Sequence, residues 1–579
     1  MRRSAAIPPS LARNAPVLLL GLAAISAAIL LLALQSGMTF FQDEWHFVIH
    51  RRGFNADAFF LPNDVHPVPL PAAVYKLSLA LFGMTSVAPD RVIAVLVYTV
   101  TAILLFAYVR RRLGDWLALF PAVILLFLGP AWNVLLWPFE MTLAGSVAAG
   151  LAMLLALDRN DRAGDVAACA LAVVSMACSS LGISFAIAAG VDILLRRRER
   201  GLLARLYVPA LPLALYSLWY LTYGHKVPSA LSFFNVARTP LYVADAIASS
   251  IGALVGLSTF AVGMEGAGEP EWGRPILVAI VALTAIWLYR KGRVSPQIWV
   301  VVAAAAAFWV LGGFNFIPGR EPTASRYQYI GAVFVVLIVA EIFKGVRLGN
   351  RAILALLGLT GVVVLSNLAP LRDGRTFVKQ QSDLARAELA AIEIARDTVK
   401  PDFVLTPEIA GTATLIPIDA GSYLSAVDTD GSPAADKAEL PRASEAVRQQ
   451  VDVVLAHALP VTVSPLRGKP RPIAGARPPT AEEVKGVTTR GSCVTIASGA
   501  AREGIPLALA GSTTIEVAAG KPVNLALRRY AGEFALPGGS LSGGSTSLLS
   551  VPPDRSSLAW QITLTGAQAV TACTNPKVR

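Results

Sequence analysis

VAACALAVVSMACSSLGISFAIAAGVDILL, residues 166–195, is a nearly unbroken apolar run of thirty residues. One helix rising ~1.5 Å per residue needs only about 20 residues to cross a hydrocarbon core of roughly 30 Å. Both flanks of the run are basic: Arg159 and Arg162 precede it, and Arg196, Arg197, Arg198, Arg200 and Arg205 follow. Lys and Arg collect in cytoplasmic loops, so the chain has to leave and return on one side. Ser179, Ser180 and Gly182 interrupt the middle. The run therefore predicts two short helices in a hairpin with its tip outward.

The same reading extends along the chain. Apolar segments lie at 17–34, 92–109, 116–128, 141–157, 206–223, 276–289, 297–314, 327–342 and 352–368. Basic clusters mark the inner side at Arg2, Arg3 and Arg13, at Arg110, Arg111 and Arg112, at Arg290, Lys291 and Arg293, and at Lys344, Arg347 and Arg351. The segment 242–260 reads as an outward interfacial or re-entrant helix, because both its flanks must then be outside. The expectation is about eleven spans, N-terminus inside and C-terminus outside. Composition agrees: of 579 residues 55% are hydrophobic and 15% charged, with mean hydropathy +0.58. The formal charge is +12, but the arginines sit beside apolar runs and form no continuous basic face, so nucleic acid is not the implied partner.

Four regions are expected: a transmembrane domain over 1–370 with a long outward loop at 35–90, a helical or mixed extracytoplasmic segment over 371–459, a linker rich in Pro, Gly and Arg over 460–479, and a β-sandwich over 480–579. Short β-type runs separated by Gly and Pro support the last. Cys493 and Cys573 both fall in the C-terminal domain. They are expected to form a disulfide on the oxidising side; two unpaired buried thiols are the alternative. Trp560, Tyr530 and Phe534 suit either sugar stacking or core packing, and no glycan site is assigned to them.

Catalytic signatures narrow the function. The sequence has no Walker A motif, HExxH, paired CxxC or GxSxG elbow, which argues against an ATP-driven pump, a zinc protease and an α/β-hydrolase. The spans also lack charges near their centres, apart from groups such as Asp192 near an end, which argues against an ion-coupled transporter. The most informative stretch is Phe40-Phe41-Gln42-Asp43-Glu44-Trp45-His46-Phe47, directly after the first span, followed by His66-Pro67-Val68-Pro69-Leu70-Pro71. Two adjacent carboxylates among aromatics at a membrane face read as a built site or as an acidic helix start favoured by the helix dipole.

These features resemble the GT-C glycosyltransferases, which include protein O-mannosyltransferases, the lipid A aminoarabinose transferase and mycobacterial arabinofuranosyltransferases. The resemblance covers the first 370 or so residues as architecture and the first loop as a motif. It implies Asp43 as catalytic base, with Glu44 as its second member. The fold expected is a GT-C-like polytopic α-helical membrane protein with an extracytoplasmic C-terminal α+β domain ending in a β-sandwich.

The chemistry expected is inverting transfer from a polyprenyl-phosphate sugar, in the cytoplasmic membrane, to a cell-envelope glycan, lipid or protein outside it. A departing lipid phosphate calls for a fixed cation. Arg326 in Ser325-Arg326-Tyr327-Gln328-Tyr329 is the first candidate, with a snorkelling anchor as its alternative, and Arg320 is the second. Glu140 in Trp137-Pro138-Phe139-Glu140 could bind a sugar hydroxyl or be a boundary-solvated acid. His66 and Lys76 are substrate-binding candidates, and His225 and Lys226 could meet phosphate or headgroups. No metal is assigned, although relatives with pyrophosphate donors use a divalent cation and Asp43 with Glu44 could ligate one. Competing functions are a lipid-linked sugar translocase and a membrane-anchored glycan-binding scaffold.

Overall fold

The computed structural model describes residues 9–258, 272–291, 295–406, 409, 417–469, 471–473, 475–481, 485–533 and 535–575. Arg2, Arg3, Arg293 and Phe534, and the last two residues of 242–260, lie outside them. The chain forms two compact units. One comprises Met1–Met38, Arg51–Leu81 and Val87–Lys379; the other comprises Thr39–His50, Phe82–Ser86 and Gln380–Arg579.

The first unit is helical. Among the described residues, six helices are long and apolar enough to cross a membrane: Asn14–Leu34, Ala88–Leu113, Pro138–Leu157, Gly273–Arg290, Ser325–Ile342 and Asn350–Ile394. The pair Asp115–Leu126 and Gly129–Leu136, bent by 42° at its break, makes up to seven if taken as one span. The exact count of about eleven is not confirmed by this measure, because further helices are shorter. Arg162–Cys178, Gly182–Leu195, Tyr207–Thr222 and Ile298–Phe314 have 14 to 17 residues each. At ~1.5 Å per residue they reach only about 21–26 Å. The long helices turn apolar side chains outward, with Leu22, Ile25 and Ile29 each more than 60% exposed, as a lipid-facing surface requires.

The hairpin read from 166–195 is present as Arg162–Cys178 and Gly182–Leu195, broken at 179–181. Asp161 caps the first arm, its carboxylate accepting from the Gly164 N–H at 2.5 Å, so that arm starts earlier than the apolar run. A Cβ at Gly182 would come within 2.6 Å of the Met176 backbone nitrogen, so only glycine lets the arms close here. The segment 242–260 belongs to a 22-residue helix, Phe233–Leu254, packed against Gly273–Lys291, Ile298–Phe314 and Ser325–Ile342. The span expected at 352–368 does not stop there: one helix runs Asn350–Ile394 with Pro370 inside it.

Buried charge is more extensive than the sequence implied. At the feet of the hairpin the Arg205 guanidinium bonds Asp165 at 2.9 Å and Asp192 at 3.2 Å, while Arg196 meets Asp192 at 3.0 Å and Arg200 meets Asp165 at 2.8 Å. Nearby, Arg112 joins Glu341 and Asp158, each at 2.7 Å, and the Tyr108 hydroxyl donates to Glu341 at 2.7 Å. These groups stand at helix ends, so the expectation of uncharged span centres holds, but the arginines read as loop charges serve here as internal ties. Charges removed from water persist only when paired in this way.

The second unit ends in two antiparallel sheets. Leu536–Leu541, Val523–Arg528, Gln561–Thr565, Ile505–Ala508 and Thr480–Ala481 follow one another across the first sheet. Thr462–Leu466, Thr546–Ser550, Thr513–Val517, Val570–Thr574, Cys493–Ile496 and Val487–Arg490 make the second. Burial alternates along Val523–Arg528 and Gln561–Thr565, the pattern of strands with one packed face. Thr462–Leu466 lies inside the stretch read as a linker; its Thr and Val favour a strand, and Pro465 is tolerated because the strand is at the edge. Cys493 and Cys573 face each other across adjacent strands and form a disulfide. Tyr530 and Trp560 are buried, with Trp560 beneath the Arg529 guanidinium at 4.7 Å, which is a packing use of the ring.

Candidate active site

The first unit builds its site from a tight turn. Asn63 and His66 exchange both backbone hydrogen bonds at 3.0 Å, and Asp64 between them adopts φ +53°. A left-handed backbone is costly for most side chains and cheapest for Gly, Asn and Asp, which is what Asn63-Asp64 supplies. Pro67 and Pro69 then set the chain into the helix Pro69–Phe82, proline fitting a first turn whose N–H groups have no helical partner.

His66 lies half-buried with its Nδ1 hydrogen-bonded to the Ser180 hydroxyl at the tip of the hairpin. Burial lowers its pKa from 6.5 to about 4, Asp64 opposing this and Arg320 and Arg326 adding to it. The imidazole is therefore neutral at pH 7. Between pH 6.5 and 4 the unfolded chain takes up a proton that the folded one refuses, so this contribution is complete above about 6.5 and drains as pH falls. Replacing His66 by Gln should remove that slope, on the order of 2 kcal/mol after allowing for partial exposure. Melting temperature against pH for the purified protein checks it, and an unaltered acid limb would contradict it.

The cations come from the loop after Ile298–Phe314. Gly319, at φ +89°, makes a turn available to glycine at little cost, and the Arg320 N–H closes it on the Ile317 carbonyl at 2.9 Å. Arg320 pairs with Asp64 and donates to the Asn315 carbonyl at 3.3 Å. Arg326 donates to the Gly319 carbonyl at 2.6 Å and lies beside the Tyr327 ring at 5.3 Å. The loop is pinned from both sides: the Tyr242 hydroxyl donates to the Arg320 carbonyl at 3.4 Å, and the Ser325 hydroxyl donates to the Pro130 carbonyl at 2.8 Å. Three expected residues, His66, Arg320 and Arg326, are thus brought together. Asp64 and Ser180 join them without having been read as site residues; the Asn-Asp turn was the available signal for the first, and nothing local marks the second.

The other expected residues have contacts of their own. Lys76 Nζ donates to the backbone carbonyls of Arg51, at 2.5 Å, and Gly53, with Phe54 and Phe59 rings at 5.1 and 5.2 Å. Its ammonium braces the 51–54 turn. Glu140 is buried in the turn Pro138–Glu140 ahead of Met141–Leu157, which removes the boundary-solvated alternative. His225 and Lys226 form a short 3₁₀ turn after Tyr207–Thr222, and the Lys226 ammonium lies 5.8 Å from the Tyr223 ring.

Asp43 and Glu44 belong to the second unit. They occupy a turn in which Gln42 has φ +44°, immediately before the short helix His46–His50. Glu44 is fully buried, and its Oε2 accepts the Phe41 N–H at 2.8 Å. Asp43 is half-buried. Phe40 and Trp45 pack edge to face at 5.5 Å, and His46 and His50 bring their Nδ1 atoms to 3.2 Å. The acids stand at the start of a helical turn, and Phe40, Phe41, Trp45 and Phe47 around them in sequence are buried. Among the described residues no group of three or more His, Cys, Asp and Glu side chains is placed to hold a metal ion.

The fold and these groups define a multi-pass membrane protein with a strand-rich C-terminal domain and a cationic loop cluster. The fold is similar to two solved structures of ArnT from Cupriavidus metallidurans. One is bound to undecaprenyl phosphate (14% identity, TM-score 0.41, covering 73% of this chain and 89% of that one). The other is the apo state (15% identity, TM-score 0.43, 75% and 92%). No protein-family model matches the sequence, and no curated protein matches it.

Proposed function

We infer that the chain is a membrane glycosyltransferase that takes a sugar from a polyprenyl-phosphate donor and passes it, with inversion, to an extracytoplasmic cell-envelope acceptor. The observation that carries this reading is the convergence of Arg320, Arg326, neutral His66 and the Ser180 hydroxyl at the hairpin tip. Guanidinium groups with neutral donors beside them suit a phosphate, and basic residues at the hairpin feet favour placing the tip on the outer side. In the reaction, Asp43 accepts the proton of the acceptor hydroxyl as its oxygen forms the bond to the anomeric carbon. The bond from that carbon to the phosphate oxygen breaks with its electron pair, and Arg326 and Arg320 hold the phosphate charge that results. Glu44, whose carboxylate closes the turn beside it, positions Asp43.

A donor carrying label in both sugar and lipid, supplied to the purified protein in liposomes with envelope acceptors, tests the class. Label from the sugar alone should appear covalently on the acceptor. Movement of intact donor across the bilayer without bond formation would identify a translocase and sink this proposal.

A further inference from the structure

The buried cations of this protein are not held alike. Arg205 is 2% exposed between two carboxylates that are each 3% exposed, and Arg529 and Asp554 are both 5% exposed. Arg320 is comparably sheltered at 11%, yet Asp64, its one carboxylate partner among the described residues, is 45% exposed. That partner touches it through a single oxygen and sits on a left-handed turn residue instead of a helix. Arg320 itself has anchors besides Asp64. Its N–H, its carbonyl and its Nη1 are tied to Ile317, Tyr242 and Asn315.

We propose that Asp64 is a replaceable counter-ion: it neutralises the Arg320 guanidinium while the site is empty and yields it to the phosphate of an incoming ligand. This rests on the reading of Arg320 as a phosphate-holding group and adds a residue that sets how tightly phosphate is held. A phosphate offers more oxygens than one carboxylate and can bond two faces of a guanidinium. The exposed Asp64 regains water when released, so the exchange leaves no buried charge unpaired. His66 and Ser180 next to the turn then offer neutral hydrogen-bonding groups to the same anion.

Full-length protein in nanodiscs, titrated with a polyprenyl phosphate carrying no sugar, reads the exchange. Asp64→Asn keeps a side chain suited to the turn and removes the competing charge, so binding should tighten roughly tenfold. Asp64→Gly, which also tolerates the backbone, should do the same, with unchanged melting temperatures showing that the turn survives. In an Arg320→Gln background Asp64→Asn should have no effect. Inorganic phosphate as competitor separates the sources of the anion. Displacement of the lipid at millimolar concentration supports exchange with free phosphate, and its failure in a protein showing the tenfold gain supports exchange with the lipid headgroup. Unchanged or weaker binding by Asp64→Asn and Asp64→Gly, with binding lost in Arg320→Gln, overturns the counter-ion and leaves Arg320 as the phosphate holder. Wild-type binding by Arg320→Gln overturns both.

Discussion

Asp43→Asn should lower sugar transfer by roughly 10²–10⁴-fold, the loss expected when a general base is removed, while the protein inserts and melts as the wild type does. Asparagine is the discriminating replacement because Asn and Asp serve almost equally at the start of a helix. If the acid before His46–His50 only supports that turn, Asn substitutes for it and transfer continues. If it takes a proton, Asn cannot. Its half-buried position beside Glu44 suits a base, since a carboxylate needs access to an acceptor but gains from partial exclusion of water. The measurement is initial rate of label transfer from polyprenyl-phosphate sugar at saturating donor. A rate within threefold of wild type would remove Asp43 from the mechanism.

The largest stability loss is expected from Arg205→Ala. Among the described residues Arg205 is the one guanidinium bonded to both Asp165 and Asp192, and these acids lie on opposite arms of the hairpin. Without it two buried carboxylates depend on Arg200 and Arg196, which are 22% and 12% exposed. Breaking a buried ion pair by deleting one partner costs about 3–5 kcal/mol. The variant should therefore give little folded protein, or a melting temperature in detergent lower by many degrees. Recovery of stability in Arg205→Ala combined with Asp165→Asn and Asp192→Asn would trace the loss to uncompensated charge. A single variant as stable as the wild type would show that the hairpin feet are hydrated.

What could be read from the sequence was local. Thirty apolar residues with a Ser/Gly break between basic flanks dictate two arms, and the structure has them. Alternating runs bounded by Gly and Pro dictated strands after 480. Pairings across hundreds of residues were beyond reach. Arg112 at the end of one helix reads the same whether it meets water or Glu341, because only the fold decides which helix ends become neighbours. Asp64 and Arg320 are 256 residues apart, and each alone looks like ordinary loop polarity. The span count of about eleven is not confirmed for a related reason: hydropathy marks apolar stretches, but helix length depends on where caps and breaks fall, as at 127–131. Glu44 was read as a site group from its place beside Asp43 among aromatics and from the resemblance, and Lys76 from its charge; the structure turns part of their bonding inward onto nearby backbone.

The second unit is stitched from three stretches of chain, and Met84 donates its N–H to the carbonyl of Asp430 within it. Synthesis runs from the N-terminus at roughly 5–20 residues per second. The Asp43 turn therefore leaves the ribosome well before the Ala420–Asp430 helix, which packs against His46–His50. A nascent chain carries its acidic turn without that partner helix until Asp430 has been made. Premature stop codons placed between the membrane helices and Ala420 should then yield proteins that insert yet lack an ordered Asp43 turn.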